Sequence, residues 1–141
     1  MLESLVYRSV ATPALTDTEL DVVLLHARTV NAIRGLSGAL VKHGVEIVQY
    51  LEGPADSLER TFAKIAASPL HRDIEVLARA AGVERQFAVW HMGFCDLQRL
   101  HHRDAATHEW RAALEHARPA AAANAPLASL VEWWNRHTPN A

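Results

Sequence analysis

Apolar and polar positions alternate at two different periods along the chain, and the changes of period divide it into elements. From Leu2 to Val10 apolar residues fall on both parities, as in a strand covered on both sides. Ala11 to Leu15, interrupted by Pro13, reads as a loop. Thr16-Asp17-Thr18-Glu19 has the form of a capping box, with the Thr16 hydroxyl accepting from the Glu19 amide and Glu19 reaching back. The helix it opens carries Leu20, Val23, Leu24, Ala27 and Val30 on one stripe and is expected to run to about Asn31, ahead of Gly35. Two short apolar runs follow, Gly35 to Val41 and Val45 to Leu51, separated by Lys42-His43-Gly44, which predicts a hairpin. Asp56-x-x-Glu59 predicts the cap of a second helix bearing Leu58, Phe62 and Ile65, and Pro69 stops it. Asp73 to Ala80 and Gln86 to Met92 predict two more strands joined around Gly82.

The resulting order, βαββαββ, is an α+β, ferredoxin-like sheet with an added fifth strand. Strand parity groups the side chains. Leu5, Tyr7 and Ser9 share one face of the first strand, Val45, Ile47, Gln49 and Leu51 one face of the third, and Ala88, Trp90 and Met92 one face of the last. The reverse face carries Val6 and Val10, Val48 and Tyr50, Phe87 and Val89. Both faces are apolar, and two helices cover only one of them. The cover for the other is expected from the C-terminal third. Asp104 to Arg118 has Trp110, Leu114 and Ala117 at helical spacing, and Leu127, Leu130, Val131 and Trp134 form a second stripe that opens near Pro126. Residues 1–96 are therefore expected to form the binding domain and 97–141 a helical extension packed on the sheet. Trp133 lies off the stripe of its helix and is expected at the surface, as an anchor for another subunit or a partner.

Composition narrows the function classes. The 141 residues carry a formal charge of −2 with signs interspersed, which lacks the basic face a nucleic-acid binder needs. The single cysteine, Cys95, allows no internal disulfide. No run approaches the ~18 apolar residues of a membrane span, and the first residues lack signal-peptide form, so a cytoplasmic protein is expected. Among the nine histidines, His101 and His108 could share a helix face with Asp104, beside His102; a zinc site usually needs three or four converging ligands with a fixed second shell, so the set reads as an exposed polar face, and no metal is expected.

Polar residues at inward parities carry the chemistry. Gln49 lies between Ile47 and Leu51, where a buried amide needs partners. Asn31 reads either as a helix C-terminal residue or as a ligand; Tyr7, taken alone on its strand, reads as core or rim, and Trp90 and Met92 read equally as core. Glu52-Gly53-Pro54 reads as turn chemistry.

Four segments stand in register: Val6-Tyr7-x-Ser9, Asn31-x3-Gly35-x-Ser37-Gly38, Gln49-Tyr50-Leu51-Glu52-Gly53-Pro54 and Trp90-x-Met92-Gly93-Phe94. In this order the stretch from about residue 2 to 94 resembles the BLUF family, blue-light sensors that use a flavin. The resemblance implies FAD, with FMN or riboflavin as alternatives, bound between the two helices through Tyr7, Ser9, Asn31, Gln49, His71, Trp90 and Met92. It implies that Asn31 hydrogen-bonds the polar edge of the ring and that Gln49 lies between Tyr7 and the flavin. On excitation Tyr7 would give up an electron and then a proton, and Gln49 would rotate or tautomerise. One segment departs from the pattern. Ser68-Pro69-Leu70-His71 stands where the family usually has Asp-x-Arg-His, and Ile47 replaces a frequent aromatic residue.

The expectation is a photoreceptor without catalytic activity of its own, signalling through its C-terminal helices to a partner protein, and a homo-oligomer. Two rivals remain. One is a flavin-free interaction module, motivated by Ser68 and Leu70. The other is an acylphosphatase-like hydrolase, which the loop Ala11 to Leu15 disfavours because it has neither glycine nor arginine.

Overall fold

A computed structural model describes residues 2–88, 90–98 and 105–138. The strands are β1 (Leu2–Ala11), β2 (Ser37–His43), β3 (Glu46–Pro54), β4 (His71–Val83) and β5 (Gly93–Asp96). The helices are α1 (Asp17–Arg34), α2 (Ala55–Ala66), α3 (Ala105–Ala117) and α4 (Ala125–His137), the last two joined by a 3-10 turn, Arg118–Ala123. The sheet order is β4-β1-β3-β2-β5, antiparallel throughout except for the β2–β5 pair. The ferredoxin-like expectation is met, with β5 added beside β2.

Local chemistry explains most boundaries. Thr16 Oγ1 accepts from the Glu19 amide at 3.2 Å, as the capping box requires. α1 runs one turn past Asn31, because the residue able to end it is Gly35, at φ 72° in the left-handed region. α2 begins differently from expectation. Its N-cap is Pro54, which makes no side-chain cap bond, and Asp56 already lies in the first turn.

The largest correction concerns the strand expected from Gln86 to Met92: the residues described there, 86–88 and 90–92, form no strand. The amides of Gln86 and Phe87 donate to the Glu52 carboxylate, and the Trp90 amide donates to the Phe87 carbonyl. Backbone donors spent in a turn are not available to a ladder. Pairing with β2 starts only at Gly93.

Two cores lie on opposite faces of the sheet. Under α1 and α2 pack Leu5, Tyr7, Leu24, Ile47, Leu51 and Met92. On the reverse, Val6, Val48, Tyr50 and Phe87 pack against Trp110, Leu127, Leu130 and Trp134 of the C-terminal helices. Trp133 corrects an expectation. It is buried, its ring stacks on His137 at 4.0 Å between centroids, and its Nε1 donates to Glu46 at 2.6 Å. α4 therefore buries a broader face than the stripe from Leu127 to Trp134 suggests, because its last turn also meets the β2–β3 hairpin. No described helix is long and apolar enough to cross a membrane. The set around His101 falls outside the described residues, apart from the backbone of His108.

Candidate functional site

The cavity that matters lies between α1 and α2, above β1 and β3, with a volume of about 470 Å³. That is within the range of small-molecule sites, roughly 300–1,000 Å³. Its wall is apolar in the main, with Leu40, Ile47 and Leu51 on the sheet side. Tyr7, Asn31, Gln49 and His71 are among the polar residues that reach it.

β-strand register brings the central pair together. Tyr7 on β1 stands directly opposite Gln49 on β3, so both side chains rise from the same face into the same space. The Tyr7 hydroxyl donates to Gln49 Oε1, and Gln49 Nε2 donates to Met92 Sδ at 3.4 Å. One end of the carboxamide thus accepts from a good donor, while the other end has only a thioether, a weak acceptor. Burial pushes the Tyr7 phenol above its usual range, which keeps it a neutral donor.

The neighbours hold this pair in place. Tyr7 packs against Phe62 and against the His71 ring, with centroids at 5.7 and 5.9 Å. His71 Nε2 lies 2.6 Å from the Ile65 carbonyl, and Nδ1 lies 2.8 Å from Ser9 Oγ. A carbonyl only accepts, so Nε2 carries the proton, and in the neutral ring Nδ1 accepts from the Ser9 hydroxyl. Ser9 is not among the residues lining the cavity and meets one of them, His71. Asn31 Nδ2 donates to the His91 carbonyl at 2.6 Å, and the side chain also reaches the cavity.

Trp90 is not where strand parity put it. The turn at Phe87–Trp90 breaks the two-residue alternation, so Trp90 and Met92 leave the segment on opposite sides of the sheet. Met92 enters the cavity. Trp90 stacks on Phe87 at 5.6 Å and meets Trp110 at 4.9 Å, and Trp110 stacks on Trp134 at 5.5 Å. Gly93 is required by this packing, since a Cβ there would lie 2.4 Å from the Trp90 ring.

Glu52, which reads from sequence as turn chemistry, is instead the hub of a buried network. It is fully buried and accepts from Ser37 Oγ at 2.8 Å, Tyr50 OH at 2.9 Å and the amides of Gln86 and Phe87 at 2.8–2.9 Å. The segment that delivers Met92 is anchored by this carboxylate. The network continues: Asn124 Nδ2 donates to Tyr50 OH at 2.8 Å, Ser4 Oγ donates to Asn124 Oδ1 at 2.8 Å, and that oxygen caps α4 through the Leu127 amide at 3.2 Å. The available signal was parity. Glu52 follows Val48 and Tyr50 on an apolar face, where a carboxylate needs donors.

At the departure from the family pattern, Leu70 and Ser68 both line the cavity, and Ser68 Oγ accepts from the Leu70 amide at 3.3 Å. The cations on this wall are Lys64 and Arg34, the latter bonded to Thr61 Oγ1 at 3.1 Å.

The chain is similar to known proteins. The family model described as sensors of blue light using FAD, BLUF, matches residues 2–93. The chain is 34% identical over 93 residues to photoactivated adenylate cyclase subunit alpha of Euglena gracilis, covering 64% of this chain and 9% of that one. It thus spans a small part of the length of such relatives. Among solved structures, Klebsiella pneumoniae BlrP1 with FMN and cyclic diGMP matches at TM-score 0.70 and 32% identity, over 79% of this chain and 30% of that one. The dark-state structure of BlrB, a BLUF protein, matches at TM-score 0.63 and 31% identity, over 78% and 83%.

Proposed function

The chain belongs to the BLUF family of blue-light sensors, and from that premise we propose that its cavity binds the isoalloxazine ring of FAD and that Tyr7 and Gln49 form the light switch. The observation that carries this reading is the chain from Tyr7 OH through Gln49 to Met92 Sδ, opening on an apolar space between two helices. The residues fit the group. Apolar walls suit the faces of fused aromatic rings, and the amides of Asn31 and Gln49 suit a polar edge. Arg34 and Lys64 supply positive charge for the phosphates of FAD or FMN on a wall where Leu70 replaces the usual arginine.

When bound, the flavin supplies absorption of blue light and an excited state that accepts an electron. The protein's own part is to supply and reorganise donors. Tyr7, neutral and buried, is in hydrogen-bond contact with Gln49 Oε1, so a proton leaving the phenol has an adjacent acceptor. Gln49 has a donor end and an acceptor end, so turning its amide exchanges the two without changing net charge. The Nε2–Sδ contact is weak and gives way readily, which makes the amide a two-position element that light biases. His71, fixed by Ser9 and Ile65, keeps Tyr7 in place throughout. We take residues 1–96 as the light-sensing unit. The output passes through the reverse face of the sheet to the C-terminal helices and from there to a partner protein.

The test is an absorption spectrum of protein reconstituted with FAD, FMN or riboflavin, before and after blue light. A yellow protein with a small, reversible red shift is expected, and Tyr7→Phe abolishes the normal cycle. FAD uptake without a reversible shift, or an unaltered cycle in the variant, refutes the reading. A protein that takes up no flavin favours the interaction-module reading, for which Leu70 on the wall is the motive.

A further inference from the structure

Gln49 leans on Met92, and Met92 is in turn held by residues outside the switch pair. β5 is an edge strand: β2 pairs with one side of it, and among the described residues no strand lies on the other. On that open side two carbonyls are closed by side chains. Arg28 Nε donates to the Met92 carbonyl at 3.1 Å, and Trp110 Nε1 donates to the Phe94 carbonyl at 3.1 Å. Arg28 comes from α1, in the layer over the cavity. Trp110 comes from α3, in the layer on the reverse face. The strand edge is therefore gripped by one side chain from each layer.

α1 grips more than one carbonyl. Arg28 and Asn31 are three residues apart, hence neighbours on one helix face, and they hold the consecutive carbonyls of Met92 and His91. Asn31 also lines the cavity. The Met92 sulfur is a weak acceptor, so its contact with Gln49 does not fix the side chain by itself. The grip on its carbonyl restrains the backbone from which that side chain rises, and a guanidinium-to-carbonyl bond is a strong one. Beside the edge lies a groove of about 330 Å³ lined by Arg28, Trp90, Met92, Phe94, Glu109 and Trp110, which gives the segment room to move.

We propose that Arg28 is a positioning residue of the switch: it holds the Met92 carbonyl so that the sulfur faces Gln49, and with Trp110 it sets how readily the edge from residue 92 to 94 is released when Gln49 turns. This rests on the photoreceptor reading above. Freed of Arg28, Met92 leaves Gln49 Nε2, and the amide is no longer confined to one orientation in the dark.

The experiment compares the full chain with Arg28→Ala and Arg28→Lys. The first readout is amide hydrogen exchange over residues 90–96, in flavin-free and flavin-loaded protein. The second is the dark spectrum and the size of the light-induced shift. Arg28→Ala is expected to raise exchange on the order of tenfold, the weight of one charge-assisted hydrogen bond. Its dark spectrum should move part of the way to the illuminated position, with a correspondingly smaller response. Arg28→Lys keeps a donor and should restore most of both. Faster exchange with a parental spectrum would reduce Arg28 to a structural clamp and overturn the proposal, as would parental exchange. A photoactive parent with an unaltered alanine variant sinks this inference alone, whereas a parent without flavin sinks the photoreceptor reading on which it rests.

Discussion

Replacing Glu52 by glutamine tests whether the segment bearing Trp90 and Met92 is held by one buried carboxylate. Glu52 has no exposed surface and receives bonds from two hydroxyls and two backbone amides. A hydrogen bond to a charged acceptor contributes about 1 kcal/mol more than one to a neutral acceptor. In Glu52→Gln one carboxylate oxygen becomes an NH2 that cannot accept, so donors on that side lose their acceptor while those on the other meet a neutral oxygen, a loss of about 4 kcal/mol in all. Relief from burying a charge offsets part of that, which leaves a net destabilisation of about 2 kcal/mol. Glu52→Ala is worse. It strands the Gln86 and Phe87 amides in the interior, at about 1–3 kcal/mol each, and removes the acceptor for two hydroxyls, so ~4 kcal/mol or more is expected. For a chain of this size about 2 kcal/mol corresponds to a fall in Tm of roughly 6–8 °C. Urea unfolding followed by tryptophan fluorescence measures it, and an unchanged m-value verifies that the denatured state is the same. The folded-state emission should also change, because Trp90 hangs from the anchored segment. A glutamine variant within about 0.5 kcal/mol of the parent, well inside the ordinary scatter of surface substitutions, would refute the anchoring role.

Other expectations follow from burial. Tyr7 and Tyr50, the two tyrosines of the chain, are both buried, which raises both phenols; the charge of Glu52 raises Tyr50 further. The unfolded chain releases these protons from about pH 10 and the folded one does not, so stability falls with rising pH above that point, by up to about 1.4 kcal/mol per unit for each tyrosine. Phenolate absorbance should then appear in one step with unfolding; a gradual titration in folded protein would contradict it. Cys95 is buried, and burial, with Asp96 beside it, pushes its thiol up to about 12. A thiol reagent at mildly alkaline pH should label it only on unfolding, and rapid labelling of native protein would count against this packing. Trp90→Ala should weaken docking of α3, seen as faster exchange over residues 109–117, while flavin affinity stays near parental; a large loss of affinity would return Trp90 to the cavity.

The sheet and its two covers were legible because strand parity depends on a two-residue repeat that Leu2 to Val10 and Glu46 to Leu51 keep without interruption; Val45, expected on the inward face of that strand, lies instead in the turn and is exposed. The same repeat placed Tyr7 and Gln49 on one face and Val48 and Tyr50 on the other, as the two cores have them. Parity failed from Gln86 onward for a physical reason. Glu52, distant in sequence, captures two amides there and bends the chain, and periodicity carries no information about such a partner. Trp90 was misplaced and Met92 placed correctly by the same assumption of a strand. Trp133 was read from its own helix alone, whereas Glu46 and His137 bury it. Arg28 gives no sequence signal at all: an arginine on the polar side of a helix looks solvated until the fold brings the Met92 carbonyl to it.

β3 sets Gln49 and Tyr50 back to back, one toward the cavity and the next toward Asn124 and the C-terminal helices. The family match ends at residue 93, where β5 begins, so most of the reverse cover lies beyond it. A sheet of this kind works like a printed circuit with components on one side and a socket on the other. The contacts between that socket and the cavity-bearing half include Tyr50, reached by Asn124, and the edge of β5, reached by Trp110.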